Sequence, residues 1–137
     1  MATVAPAGVH ENTIMFELVV EKTFAAAHWL RNYDGPCERL HGHNYRVQVY
    51  VRGDRLNGAG LLEDFGDIKR ALQAIVDRLD HYNLNDLPEF RDASPSAENI
   101  ARVIGDALAR HRFERGRVDR VQVWETPLQA ATYFLPA

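Results

Sequence analysis

The sequence predicts an α+β fold in the order strand, strand, helix, helix, strand, strand, and three observations carry that prediction. Two segments in the first part of the chain alternate apolar and polar residues with the period of a strand. Two segments in the middle repeat apolar residues at steps of three and four, the period of a helix. Two short β-rich segments, Val118 to Thr126 and Ala130 to Leu135, close the chain on either side of a turn at Pro127.

The first strand runs from Thr13 to Phe24, with Ile14, Phe16, Leu18 and Val20 on one face. Asn32 to Pro36, through Tyr33, Asp34 and Gly35, carries the chemistry of a loop. In the second strand, Asn44 to Arg52, the residues Tyr45, Val47, Val49 and Val51 share one face, while Arg46, Gln48 and Arg52 take the other. Gly53 to Gly60 reads as a turn region, followed by the apolar pair Leu61 and Leu62. Asp64 fits a helix N-cap, with Asp67 in the first turn complementing the helix dipole. Phe65, Ile68, Leu72, Ile75 and Leu79 form the stripe of that first helix. The second helix begins near Ser94-Pro95-Ser96, a serine cap followed by proline at the first helical position. Its stripe is Ile100, Val103, Ile104, Ala107 and Leu108, and Gly116 closes the segment. The strands pair most simply as two antiparallel hairpins with the helices between them. Two helices cannot cover both faces of a four-stranded sheet, so one face calls for a partner subunit.

A chain of 137 residues suits one domain: residues 1–12 are expected to be a flexible tail and residues 13–137 a single domain. The net charge is −3, from 16 basic and 19 acidic residues, which argues against a partner as densely anionic as nucleic acid. A small anionic substrate needs only a local basic patch. The lone cysteine, Cys37, has no partner for an intrachain disulfide. No apolar run approaches the roughly 18–20 residues that span a bilayer. The first residues lack the pattern of a signal peptide, and the expected location is the cytoplasm.

The densest chemistry lies in Cys37-Glu-Arg-Leu-His41-Gly-His43. Residues two apart on a strand point the same way, so the imidazoles of His41 and His43 can converge on one ion. His28, at the end of the first strand, can join them if the hairpin partner brings it opposite. Three imidazoles and an open position are a catalytic zinc arrangement. Surface or core histidines are the competing reading, and His10 and His111 are read that way. Cys37 has three readings: a fourth metal ligand, a small buried residue, or a reactive thiol. Asp80 and His81 are a carboxylate beside an imidazole, which can fix a tautomer, or a helix-terminal histidine next to a solvated acid. Glu125 ends the apolar face of Val121 and Val123, either as a bidentate acceptor in a pocket or as an acid turned to solvent. Glu98, at a helix start, also suits the dipole there.

Several of these runs occur together in a known order. Phe24-Ala-Ala-Ala-His28 and Cys37-Glu-Arg-Leu-His41-Gly-His43-Asn-Tyr45 are followed by Glu63-Asp-Phe-Gly-Asp-Ile-Lys69, Leu79-Asp-His81 and Leu84-Asn-Asp86. Pro95-Ser-Ala-Glu-Asn99 and Val123-Trp-Glu-Thr126 complete the set. The chain thereby resembles the 6-pyruvoyl- and 6-carboxytetrahydropterin synthase family from about Phe16 to Tyr133. The resemblance implies a tunnelling fold, an antiparallel four-stranded sheet with two helices on one face. It also implies a homohexamer of two stacked trimers, with active sites at subunit interfaces and Asp80 and His81 able to serve a neighbour's zinc. By the same resemblance His28, His41 and His43 hold Zn2+, Cys37 is the catalytic thiol, and Asp80 with His81 forms the proton relay. Glu125 anchors the pterin, with Ser96 and Glu98 as further substrate residues; Ser96 stands where the family usually has threonine. Three residues separate Cys37 from His41. That spacing is similar to the bacterial carboxy-type lyases of queuosine synthesis, which act on 7,8-dihydroneopterin triphosphate. Arg31, Arg39 and Lys69 are candidates for holding the triphosphate by charge alone.

Overall fold

In the computed structural model, which describes residues 14–137, the six expected elements are present in the expected order. Strands β1 (Phe16–His28) and β2 (His41–Gly53) come first, then helices α1 (Phe65–Leu79) and α2 (Ala97–Ala109), then strands β3 (Arg117–Thr126) and β4 (Gln129–Phe134). The expected tail, His10 and Thr13 lie outside the described residues. The strands form one antiparallel sheet in the order β1-β2-β3-β4, so β2 and β3 join the two hairpins.

Both helices lie on one face, α1 against β1 and α2 against β3 and β4. The alternation in β2 explains why: Tyr45, Val47, Val49 and Val51 are fully buried and meet Val20, Phe24, Val121 and Val123 in the core. Burying each of these side chains stabilises the fold by about 1.5–3 kcal/mol. The helices contribute Ile68, Leu72, Val76 and Leu79 from α1, and Ile100, Ala101, Ile104 and Leu108 from α2. Gly105 is where α2 meets β4: an added Cβ would sit 2.7 Å from the Tyr133 ring.

The Asp64 side chain accepts from the Gly66 N–H, as an N-cap should. Phe65 departs from its expected place in the stripe and is 48% exposed, because the first helical residue precedes the packed turns. The second helix starts two residues later than its serine-proline signal. Ser96, not Ser94, is the cap, its hydroxyl accepting from the Asn99 N–H. Pro95 is left in the preceding loop, where its carbonyl serves another purpose.

The other face of the sheet is uncovered by the described residues and is polar. Trp124 Nε1 donates to Gln48, the Arg46 guanidinium lies over the Trp124 ring, and Arg120 forks onto Glu17 at 2.9 and 3.0 Å while stacking on Tyr50.

Candidate metal centre and active site

The register of the first hairpin builds a cluster of imidazoles at one end of the sheet. His28 pairs with His41, Ala26 with His43, and Phe24 with Tyr45, all on the helix-covered face. The small Ala26 side chain opposite His43 leaves room for the three rings to approach. Their centroids are 4.5, 4.8 and 5.1 Å apart. Glu125 joins them from β3. The β3–β4 register shifts between Trp124 and Thr126, and a bulge of this kind re-aims the side chain that it displaces. One Glu125 oxygen then lies 3.1 Å from His43 Nε2 and 3.3 Å from His28 Nε2.

The backbone fixes which ring nitrogens are available. His28 Nδ1 is 2.6 Å from the Pro95 carbonyl, and His41 Nδ1 is 2.7 Å from the Arg39 carbonyl. A carbonyl only accepts, so both rings carry their proton on Nδ1 and turn bare Nε2 lone pairs inward. Those two Nε2 atoms are 3.0 Å apart. Two lone pairs at that distance repel unless a cation or proton lies between them. His43 Nε2 is buried with no hydrogen-bond partner, since its close approach to Glu125 lacks hydrogen-bond geometry. The ligand atoms of His28, His41, His43 and Glu125 all lie within 4.8 Å of one another. Nitrogens bound about 2.05 Å from a tetrahedral ion stand about 3.3 Å apart, a spacing of the same order, so the group could hold a metal ion. Burial pushes the His28 and His43 imidazoles below their ordinary range, against the opposing pull of the Pro95 carbonyl and Glu125 respectively. Both are therefore neutral, and donor-ready, at neutral pH.

The acid–imidazole pair is a real contact. Asp80 ends α1 and accepts from the Ala25 N–H at 2.9 Å through one oxygen and from His81 Nδ1 at 2.9 Å through the other. Adjacent side chains normally diverge; here His81 takes a left-handed backbone, φ 64°, which turns its ring back to the carboxylate. The ring is mostly exposed, and its Nε2 has no hydrogen-bond partner among the described residues. The Ala25 hydrogen bond, then His81, holds the Asp80 carboxyl below the usual carboxylate range. His81 lines a cleft of about 460 Å3 floored by Ala25, Ala27 and Gly42, which by strand alternation lie on the face opposite the imidazole cluster.

Cys37 lies half-buried in a single 3-10 turn, Pro36–Glu38, whose place is set by the Leu30 N–H donating to the Cys37 carbonyl. Its sulfur is not among the clustered ligand atoms, so the fourth member of the group is Glu125 rather than the thiol. Glu125 also lines a smaller cleft of about 170 Å3 with Glu98 and Gln129. Ser96 is not among the lining residues of that cleft, and its hydroxyl oxygen is engaged as the helix cap.

The three basic candidates are not brought together. The Arg31 guanidinium donates to the Phe90 and Arg91 carbonyls, and so braces a loop. Arg39 is exposed beside the Cys37 turn. Lys69 is about 16 Å along α1 from Asp80, at 1.5 Å per residue. The residues that the sequence did not single out are Tyr45, whose hydroxyl is 3.1 Å from His28 Nδ1, and the Pro95 and Arg39 carbonyls. Alternation marked Tyr45 as core, but nothing local marks a carbonyl as a histidine's partner.

A polar sheet face, a cluster of three imidazoles and a carboxylate that could hold a metal ion, and an acid–imidazole pair define an α+β protein equipped for small-molecule chemistry. The model of the 6-pyruvoyl tetrahydropterin synthase family matches residues 17–135, and the chain belongs to that family. It is 40% identical over 129 residues to a 6-carboxy-5,6,7,8-tetrahydropterin synthase of Synechocystis sp., covering 89% of this chain and 95% of the relative. It is 37% identical over 95 residues to the human 6-pyruvoyl tetrahydrobiopterin synthase, covering 68% and 65% respectively. The solved structure of the Caenorhabditis elegans 6-pyruvoyl tetrahydropterin synthase superposes with a TM-score of 0.81 at 26% identity, covering 89% of this chain and 96% of that one.

Proposed function

We propose that this chain is a zinc-dependent lyase, a 6-carboxy-5,6,7,8-tetrahydropterin synthase. Its substrate would be 7,8-dihydroneopterin triphosphate, and its products 6-carboxytetrahydropterin, acetaldehyde and triphosphate. The observation that carries the reading is the convergence of three imidazoles and the Glu125 carboxylate, with ligand atoms within 4.8 Å of one another, in a chain that also pairs Asp80 with His81. The carboxy-type outcome is supported by the three-residue spacing from Cys37 to His41 and by the Synechocystis relative.

In this reading His28, His41 and His43 hold the ion. Bound zinc supplies Lewis acidity to the substrate's side-chain hydroxyls and the adjoining C–H. Glu125 accepts from the ring N–H and amino group of the pterin, which presents two parallel donors to a carboxylate. Glu98 lines the same cleft as Glu125, and Ser96, two residues before it, is the further substrate residue of this reading. Cys37, as thiolate, takes the proton released next to the activated hydroxyl. His81, held on its Nδ1 by Asp80, returns a proton through the free Nε2. By the family resemblance the chain would assemble as a homohexamer of two trimers. In the assembly Cys37 and His81 can come from different subunits. Residues 13–137 act as one domain in the cytoplasm.

The test is product identification. Zinc-loaded protein given 7,8-dihydroneopterin triphosphate is expected to yield acetaldehyde and a pterin with the mass of the 6-carboxy product. Triphosphate release without acetaldehyde would move the chain to the pyruvoyl-type reaction, in keeping with the human relative. Absence of any turnover would remove the lyase reading.

A further inference from the structure

β1 ends at His28, and the next residue is where a strand would ordinarily fray. Beyond the last rung, Trp29 has no strand beside it. Both of its backbone groups are nevertheless satisfied by one side chain. The Trp29 N–H donates to Asn85 Oδ1 at 2.8 Å, and Asn85 Nδ2 donates to the Trp29 carbonyl at 3.0 Å. A carboxamide is the side-chain counterpart of a peptide group, one donor and one acceptor in a plane, so Asn85 acts as a one-residue continuation of a partner strand. It is itself held firmly. Asn85 lies in a 3-10 turn, Leu84–Asp86, anchored by the fully buried Leu84 and by the Asn83 side chain, which accepts from the Asn85 N–H. The same segment grips the chain on the other side of the histidine, where the Ala27 N–H donates to the Tyr82 carbonyl at 3.0 Å.

We infer that Asn85 is a positioning residue for the metal centre: by clamping Trp29 it fixes the backbone on the exit side of His28 and so sets where the His28 Nε2 lone pair points. His28 then has a fixed ring, through Pro95, and a fixed backbone on both sides. Neither Asp nor Leu can replace the clamp. Aspartate keeps the bond from the Trp29 N–H but sets an oxygen against the Trp29 carbonyl; leucine keeps the shape and loses both bonds. Because the substitutions leave all four clustered ligand atoms in place, a loss of metal affinity would come through geometry alone. The inference rests on the reading that the histidine cluster holds a metal.

The experiment is a cobalt(II) titration of the metal-free full chain, followed by the visible absorption of the bound ion, which reports ligand geometry. Asn85→Asp and Asn85→Leu are compared with the wild type and with Val118→Ala, a core truncation at the far end of β3 that lowers stability without touching the site. Outer partners of metal-binding histidines are worth about 10–100-fold in affinity. Both Asn85 variants are expected to bind cobalt that much more weakly and with shifted absorption bands, while V118A keeps the wild-type spectrum and affinity. Should N85L fail to fold, N85D carries the comparison. Asn85 variants with wild-type affinity and bands would overturn the inference and leave the metal reading standing. A wild-type chain that takes up no cobalt would overturn both.

Discussion

His28 is 1% exposed, with its ring held by the Pro95 carbonyl and its neighbours in the chain held by hydrogen bonds on either side. The side chain of His81 is 81% exposed, on a left-handed turn, with one ring nitrogen held by Asp80 and the other free. In the proposed reading the two imidazoles serve opposite needs. A metal donor must not move, so it sits on paired strands with its outer nitrogen committed to a carbonyl. A proton carrier must reach a substrate, so it stands at an element's end with one nitrogen uncommitted. Cys37 belongs with His81, on a short turn outside the ligand cluster.

Substitutions can break or sharpen that contrast. The largest effect is expected from His28→Ala: loss of stoichiometric zinc by metal analysis and a fall in turnover of about three orders of magnitude or more. Cys37→Ala should lower turnover by about 10^2–10^4-fold while metal analysis still finds the full complement of zinc. Loss of zinc in that variant would return the thiol to the ligand set. Glu125 stands between the two groups, and Glu125→Gln separates its roles. Retained zinc with KM raised about 10–100-fold, the weight of a charged hydrogen bond, would make it a substrate anchor. Zinc loss would make it the fourth ligand.

The smallest effect concerns stability. The folded carboxyl of Asp80 titrates below its unfolded value of about 3.9, so its contribution is fully present above that value. It is lost as pH falls through the depressed folded value. Asp80→Ala should therefore melt below the wild type at pH 7, and thermal scans at falling pH should show the gap closing under about pH 4.

Much of this architecture was legible because it is periodic. Alternation in Tyr45 to Val51 placed the core face of β2, and the two-residue step from His41 to His43 put both rings on it. What could not be read was whatever depends on a distant partner. The start of α2 was misplaced by two residues because Ser94-Pro95 is locally as good a cap as Ser96. The choice follows from the Pro95 carbonyl being drawn to His28, 67 residues away in sequence. Arg31 looked available for phosphate because its carbonyl partners, at Phe90 and Arg91, have no signature in the sequence. Asp80 and His81 looked like neighbours that need not touch, until the backbone at His81 turned left-handed.

The pairing of His28 with His41 is the last rung of the β1–β2 ladder, beyond which the chains part into the Cys37 loop. An ion bound there is a stitch across the open mouth of a hairpin. Removing it leaves two lone pairs pushing the strand ends apart where a ladder is weakest. Amide hydrogen exchange at 26–28 and 41–43 should therefore quicken on chelation well before the rest of the sheet loosens, so that a metal held there would govern the local breathing of the loop that carries the thiol.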